Sequence, residues 1–266
     1  MSTAPRTGDG GPGAYVSVSR PKGDPMTDAS PRADADAPPP RLDPLEAARE
    51  RLLDALPDHV AFDGWSRTAI EAAARDGGVE PELARLIFPR GGIDAALAFH
   101  ARGDRQMAEA FAAEVRIGMG FTAKVTRAVR LRLELVEPAR EAVRRAVSMF
   151  ALPTYAPEGA AALWRTADAI WTAVGDSSED VNWYTKRATL SGVYSATVLY
   201  WLADESDGRE ATWAFLDRRI ADVIRIEKAK AEIRRNPLGR LVMQGADRMG
   251  AMIRAPHARG DAAPGD

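Results

Sequence analysis

Residues 65–88, with the sequence WSRTAIEAAARDGGVEPELARLIF, decide how the fold is interpreted. The segment begins with alanine-rich residues at helical spacing, turns at Gly77-Gly78 and resumes a helical pattern at Pro81. We expect Asp63 or Ser66 to cap the first of these helices, because short oxygen-bearing side chains accept hydrogen bonds from the free N–H groups there. The segment therefore predicts two helices joined by a glycine turn, a helix-turn-helix-like unit.

Helical periodicity continues over the rest of the chain, and strand-like alternation is absent from the sequence. A helix-turn-helix-like unit followed by a long helical body resembles the TetR-type regulators. The predicted fold class is all-α, a TetR-like helical bundle with that N-terminal unit and a C-terminal amphipathic helix. Helices are predicted at 43–56, 65–76, 80–87, 92–101, 104–116, 121–136, 138–150, 158–174, 180–203, 208–234 and 238–254.

Composition divides the chain into five segments. The residues before 43 are rich in Gly, Pro, Ser and Asp and cannot bury enough apolar surface to fold, and Met26 within them offers an alternative start. The predicted segments are a disordered tail at 1–42, the helix-turn-helix-like unit at 43–101, a helical body at 102–235, an amphipathic helix at 236–254 and a second disordered tail at 255–266.

The N-terminal unit lacks the charge that DNA binding requires. Residues 41–92 carry seven basic and ten acidic residues, a formal charge of −3. The second helix of the unit begins with Glu80-Pro81-Glu82, which would place carboxylates against phosphate oxygens. We therefore predict a helical cap on the body that binds no nucleic acid. A TetR-type transcriptional regulator with an apolar effector stays open as the alternative.

Residues able to perform chemistry are few. The 266 residues include no cysteine, which excludes disulfides, thiolate metal sites and thiol catalysis. His59 and His257 have no second ligand nearby in sequence, and His100 and Asp104 form a weak metal pair that Gly103 is expected to separate by breaking the helix. The sequence also lacks a phosphate-binding loop and a nucleophile elbow. We therefore predict no catalytic residue, no metal and no cofactor, and hence a protein that is not an enzyme.

Residues 238–254 form an amphipathic pattern, with large apolar residues on one side and arginines on the other. The chain has no run of about 20 apolar residues that could span a bilayer. The pattern favours a helix that lies on a membrane surface, and an ordinary amphipathic helix packed on its own body or on a second subunit is the alternative. The predicted membrane-binding residues are Leu238, Leu241, Val242, Met249, Met252 and Ile253.

The segment Asp180-Val-Asn-Trp-Tyr-Thr-Lys-Arg-Ala188 is the most unusual part of the body. Tryptophan, tyrosine and arginine dominate the energetic hot spots of protein interfaces. Trp183 and Tyr184 are adjacent, so they point about 100° apart on a helix, and one can be buried while the other is exposed. The segment therefore suggests a docking surface, with core packing as the alternative. Small residues elsewhere leave room for an apolar ligand cavity between helices, namely Gly159, Ala160, Ala161, Ala162, Gly192 and Ala196.

Several motifs together are typical of one protein family. From Leu52 to about Met252 the chain resembles the ubiquinone-biosynthesis accessory lipid-binding family, coenzyme Q biosynthesis protein nine. The motifs that carry the resemblance are Phe62-Asp63-Gly64-Trp65-Ser66, Lys124 to Leu133, Asp168-Ala-Ile-Trp171 with Gly175-Asp176, the 180–188 segment, and Thr212-Trp213-Ala-Phe215-Leu216 with Arg219.

The resemblance implies a TetR-like homodimer that does not bind DNA, carries an isoprenoid or quinone lipid in an apolar pocket and attaches to a membrane surface. It implies that the protein presents polyprenyl quinone intermediates to demethoxyubiquinone hydroxylase or an equivalent enzyme. By position, Asn182, Trp183, Tyr184 and Arg187 match the surface that contacts the hydroxylase. The expected location is cytoplasmic, peripheral on the inner face of the bacterial plasma membrane. A plain structural dimerisation module is a third interpretation.

Overall fold

The computed structural model of the chain describes residues 43–114, 118–176 and 181–235, and the side chains of all of these except 181, 182 and 226–235. In these three ranges the chain forms nine α-helices and two short 3-10 helices, without a strand. The predicted all-α class is thus confirmed. The α-helices are α1 (Pro44–Asp63), α2 (Arg67–Asp76), α3 (Pro81–Ile87), α4 (Gly92–Ala113), α5 (Phe121–Glu134), α6 (Arg140–Phe150), α7 (Ala156–Ala173), α8 (Val181–Ala203) and α9 (Glu210–Arg235), and the 3-10 helices are Glu137–Ala139 and Asp207–Arg209.

Helices α1 to α3 form the N-terminal unit with the predicted glycine turn. Ser66 is the cap of α2, because its hydroxyl accepts a hydrogen bond from the N–H of Ala69 at 3.1 Å. After α2, Gly78 adopts a φ of +59°, a left-handed conformation that favours glycine over other residues. The turn then delivers the chain to α3 at Pro81, as the sequence predicts.

Helix α1 is longer than predicted. The prediction ends this helix at residue 56, before Pro57, but the helix continues through the proline to Asp63. An interior proline costs about 3 kcal/mol. The buried face of α1, which includes Leu52, Leu56 and Val60, lies on both sides of the proline, and each such side chain contributes about 1.5–3 kcal/mol when it is fully buried. Packing against α2 and α6 therefore outweighs the local break.

Helix α4 corrects a second predicted break. The sequence predicts two helices, 92–101 and 104–116, separated at Gly103, whereas the structure has one helix from Gly92 to Ala113. Gly103 is buried, and a Cβ atom there would lie 2.5 Å from Cζ of Arg132. The glycine thus admits a guanidinium group and does not end the helix. The continuous helix holds His100 and Asp104 one turn apart on one face, and the predicted segment boundary at 101/102 falls inside it.

The body of the protein is built mainly by α4, α5, α7 and α8. Met107, Phe111, Leu133, Ile170 and Trp201 are among its fully buried side chains. Trp201 donates its Nε1–H to the carboxylate of Glu137 at 2.6 Å, which keeps the polar atom of the large aromatic paired. These contacts fix α7 and α8, two of the helices that form the candidate site.

Candidate functional site

An apolar cavity of about 310 Å³ lies among α4, α5, α6, α7 and α8. Gly159 and Ala162, two of the small residues predicted to leave room between helices, line it. Gly159 also lets α6 and α7 approach closely, because a Cβ atom there would lie 2.8 Å from Cβ of Phe150. The cavity walls include the apolar side chains Phe99, Leu133, Val147, Phe150, Leu163 and Val198.

Exposed apolar side chains lie next to the cavity. Leu199 of α8 lines it and is 55% exposed, and Leu152 is 52% exposed and follows Ala151, another lining residue. Leu199 is therefore a point at which the cavity lining reaches the protein surface. We identify this region as the mouth of the cavity.

A buried polar cluster forms one wall of the cavity. Arg132 donates from Nε to Oδ1 of Asp104 at 2.8 Å and from Nη2 to the backbone carbonyl of His100 at 2.9 Å. Thr166 donates from Oγ1 to the same Asp104 oxygen at 2.9 Å, and its Oγ1 lies 2.7 Å from Nε2 of His100. Because a hydroxyl has one hydrogen, Thr166 accepts from His100, which places the imidazole proton on Nε2. Tyr194 completes the cluster from α8.

The cluster has defined protonation states at neutral pH. Burial, together with the charge of Arg132, lowers the pKa of His100 to about 4 from its ordinary value of 6.5, so the imidazole is neutral. Burial lowers the pKa of Arg132, but two negative charges outweigh burial and raise that pKa: the charge that Tyr194 acquires at the high pH where a guanidinium titrates, and the charge of Asp104. Burial also raises the pKa of Tyr194, which therefore keeps its hydroxyl proton. The cavity wall thus presents a cation, its counterion and two neutral donors.

The predicted docking residues form an aromatic cluster on α7 and α8. The rings of Trp183 and Tyr184 pack edge to face, with centroids 4.8 Å apart. Trp164 of α7 lies 5.9 Å from Trp183 and 6.3 Å from Tyr184. Trp183 and Tyr184 are each partly exposed, which makes both accessible, whereas the sequence allowed one to be buried.

Arg187 lies beneath this aromatic cluster and is only 3% exposed. Its Cζ atom is 3.8 Å from the ring centroid of Trp183, its Nε donates to Asp168 at 2.5 Å, and its Nη1 is 3.5 Å from Asp176. A guanidinium packed against an indole face gains a cation–π interaction, which is stronger when it is shielded from water. Arg187 therefore holds the indole of Trp183 in place from the inner side.

The other predicted site residues cannot be placed in the same way. The backbone of Asn182 belongs to α8, but its side chain is outside the description. The predicted membrane-binding residues lie outside the described residues altogether. Among the helices that are described, none is long and apolar enough to cross a membrane.

Sequence reasoning missed the polar cluster, although it noticed several of its members. The spacing of His100 and Asp104 indicated a pair, but the predicted break at Gly103 separated them. Arg132 lies within the motif from Lys124 to Leu133, and Tyr194 lies within the predicted helix 180–203. Nothing in the sequence indicates that these side chains meet, because Asp104 lies 28 residues from Arg132 and 62 from Thr166.

Comparison with known proteins gives consistent results. A model of the COQ9 family matches residues 156–227, which include the aromatic cluster. The chain is 33% identical over 190 residues to ubiquinone biosynthesis protein COQ9, mitochondrial, of Drosophila melanogaster, and this covers 69% of the chain and 57% of the fly protein. The chain is also 33% identical over 215 residues to COQ9-B of Xenopus laevis, covering 78% of the chain and 72% of that protein. The human COQ9 is 30% identical to the chain over 215 residues, and this alignment covers 66% of the human protein.

A solved structure with a similar fold is the TetR transcriptional regulator from Nitrosomonas europaea. The TM-score is 0.54 at 19% sequence identity, over 65% of this chain and 95% of the regulator. At that identity the similarity concerns the fold alone, and it confirms the predicted TetR-like architecture.

Proposed function

We propose that this chain, which belongs to the COQ9 family of ubiquinone biosynthesis proteins, acts in ubiquinone biosynthesis by binding a lipid rather than by catalysis. It takes a polyprenyl quinone intermediate from a membrane and presents it to a ring hydroxylase, demethoxyubiquinone hydroxylase or an equivalent. The observation that carries the proposal is the apolar cavity of about 310 Å³ with its exposed mouth.

The cavity suits a lipid because its walls are mostly apolar. Each CH₂ group that leaves water contributes about 0.8 kcal/mol, so a polyprenyl chain crosses water only when a protein or a bilayer covers it. A 310 Å³ cavity holds a ring and a short part of a tail but not a whole polyprenyl chain. The rest of the tail then lies at the mouth or in the bilayer, which favours transfer at a membrane surface.

The aromatic cluster is the proposed docking surface for the hydroxylase. Trp183 and Tyr184 are accessible, and Arg187 and Trp164 support them from within and from the side. An aromatic anchor that is already fixed loses little side-chain freedom when a partner binds. Asn182 belongs to the same proposed surface by its position in the sequence.

Membrane attachment would come from the segment that follows α9. This helix reaches Arg235, and the predicted amphipathic segment begins at 236. We propose peripheral attachment through this segment to the inner face of the bacterial plasma membrane. The homodimer that the family resemblance implies stays a prediction, which light scattering at micromolar concentration tests.

Nucleic-acid binding is not part of the proposed function. Arg85 is the one cation on α3, and it pairs with Glu82 at 2.9 Å and approaches Glu71 at 3.6 Å. A cation engaged by two carboxylates offers little to phosphate. A gel shift with the upstream region of its own gene, at low and at moderate salt, tests the alternative of a transcriptional regulator.

Lipid analysis of the purified full chain tests the central claim. We expect mass spectrometry to find polyprenyl quinone intermediates bound to the wild type. Ala162→Leu, which adds volume to the cavity wall, should remove most of this lipid, whereas Ala160→Leu on the exposed side of the same helix should not. A wild-type protein without any lipid, or equal lipid content in the two variants, would contradict the proposal.

Docking and attachment have separate tests. Trp183→Lys should abolish co-purification of the hydroxylase and leave the helical circular dichroism unchanged, while Phe62→Lys at a side chain 85% exposed on α1 should have no effect. Retained binding in Trp183→Lys would show that the docking surface lies elsewhere.

Deletion of 237–266 should reduce the flotation of the protein with liposomes. Unchanged flotation would show that this segment does not attach the protein to the membrane.

A further inference from the structure

Two hydrogen-bond donors of the polar cluster face the cavity without a protein acceptor. Tyr194 is 3% exposed and lines the cavity, and within the described residues its hydroxyl makes no hydrogen bond. Arg132, also 3% exposed, uses Nε for Asp104 and Nη2 for the carbonyl of His100, and its Nη1 has no acceptor in the same part of the chain. Unpaired donors beside an apolar space are unfavourable, so a ligand that supplies an acceptor atom is favoured there.

The charge of the cluster defines the kind of acceptor. The carboxylate of Asp104 already neutralises Arg132 at 2.8 Å, and His100 is uncharged. An anionic ligand would bring a second negative charge into a shielded site whose sum is zero. The wall therefore fits a neutral oxygen, such as a ring carbonyl, better than a carboxylate.

The size of the cavity indicates which end of the lipid enters. A cavity of about 150 Å³ is large enough for benzene, and this one measures about 310 Å³. It accommodates a substituted six-membered ring with the first carbons of a tail. The exposed Leu199 at the mouth provides an apolar path by which the remaining tail leaves.

We propose that the cavity binds its quinone lipid with the ring inward, and that a neutral ring oxygen accepts hydrogen bonds from the Tyr194 hydroxyl and from Arg132. The tail leaves past Leu199. This inference rests on the proposed function, because it specifies the ligand and its orientation in the same cavity. The ring-inward orientation applies to the lipid while the protein carries it, and the ring leaves the cavity when the lipid is transferred to the hydroxylase. Lipids made only of hydrocarbon leave both donors unpaired and bind more weakly.

Calorimetric titration of the delipidated full chain tests the inference with three probes that each contain a ten-carbon chain. They are a decyl-substituted dimethoxymethylbenzoquinone, decylbenzene and decanoic acid. The quinone should bind wild type at least about tenfold more tightly than decylbenzene, the equivalent of one shielded hydrogen bond. Tyr194→Phe should weaken quinone binding about tenfold and leave decylbenzene within about twofold. Tyr200→Phe is the matched control on α8, outside the cavity lining, and should change neither affinity.

The outcomes separate this inference from the proposed function. Equal binding of quinone and decylbenzene to wild type, with no effect of Tyr194→Phe, would overturn the inference and leave lipid binding intact. Failure of all three probes to bind wild type would overturn both. Tightest binding by decanoic acid, dependent on Tyr194, would replace the neutral ring by a carboxylate. Decylbenzene binding to the variant also reports that its cavity is still formed.

Discussion

The substitution Gly103→Ala tests the close contact between α4 and the guanidinium of Arg132 in the polar cluster. A Cβ atom at this position would lie 2.5 Å from Cζ, 2.6 Å from Nη1 and 2.7 Å from Nη2 of Arg132. The guanidinium cannot swing away freely, because it is buried and donates to Asp104 and to the carbonyl of His100. The added methyl group must therefore displace α4, α5 or the ion pair.

The expected magnitude follows from two opposing effects. Alanine is favoured over glycine inside a helix by about 1 kcal/mol. Overpacking a close-packed core costs about 1–3 kcal/mol, and a disrupted buried ion pair costs about 3–5 kcal/mol. We expect a net destabilisation of about 2 kcal/mol, which for a chain of this size lowers the melting temperature by about 4–8 °C.

A second helical glycine provides the matched control. Gly192 lies in α8 and is exposed, and a Cβ atom there would meet nothing within 4 Å. Gly192→Ala should therefore stabilise the protein by about 1 kcal/mol, the propensity effect alone. Thermal unfolding followed by circular dichroism measures both variants. A Gly103→Ala protein as stable as the wild type would refute the close approach of Arg132 to α4.

Three further perturbations test the energetics of the site. The pKa of His100 in the folded protein, about 4, lies below its unfolded value of about 6.5. The contribution of His100 to stability is therefore complete above pH 6.5, and it falls by about 3 kcal/mol as the pH drops to 4. Urea titrations at several pH values should show that His100→Gln loses this pH dependence, and an unchanged dependence of stability on pH would contradict it. Arg187→Gln should lower the melting temperature and alter the fluorescence of Trp183, because the substitution removes the positive charge that is stacked on the indole. An unaltered emission spectrum would contradict the stacking of Arg187 on Trp183. Asp204→Ala should destabilise the protein at the α8–α9 junction by about 1–3 kcal/mol at pH 7, because the carboxylate accepts hydrogen bonds from both the N–H and the hydroxyl of Thr212. Chemical denaturation measures the change, and a variant as stable as the wild type would show that these hydrogen bonds do not stabilise the junction.

Local signals in the sequence were sufficient to predict most of the helices. Hydrophobic periodicity gave α5, α6, α7 and α8 to within a few residues, and the chemistry of Ser66 gave the cap of α2. These features depend on residues close together in the chain. The same local reasoning failed at Pro57 and at Gly103, where the packing of distant helices decides the outcome.

The candidate site was predictable only in part for the same reason. The segment around Trp183 was noticed because its unusual residues are consecutive, and the cavity was expected in general terms from small residues on α7. The polar cluster was not predictable as a unit, because its members come from α4, α5, α7 and α8 and meet only in the folded protein. The sequence predicts Arg187 to be a contact residue on the docking surface, whereas the structure places it beneath the indole of Trp183. A sequence cannot distinguish an exposed cation from one that is buried under an aromatic ring.

The cavity lies among five helices of the body, and its lining residues run from Ala96 to Leu199. A guest molecule there completes the interior and strengthens the folded state in proportion to the logarithm of its concentration relative to its dissociation constant. Molecules with and without such a ligand would then differ in heat resistance, so that a melting curve recorded in cell extract would report how much of the proposed lipid is bound.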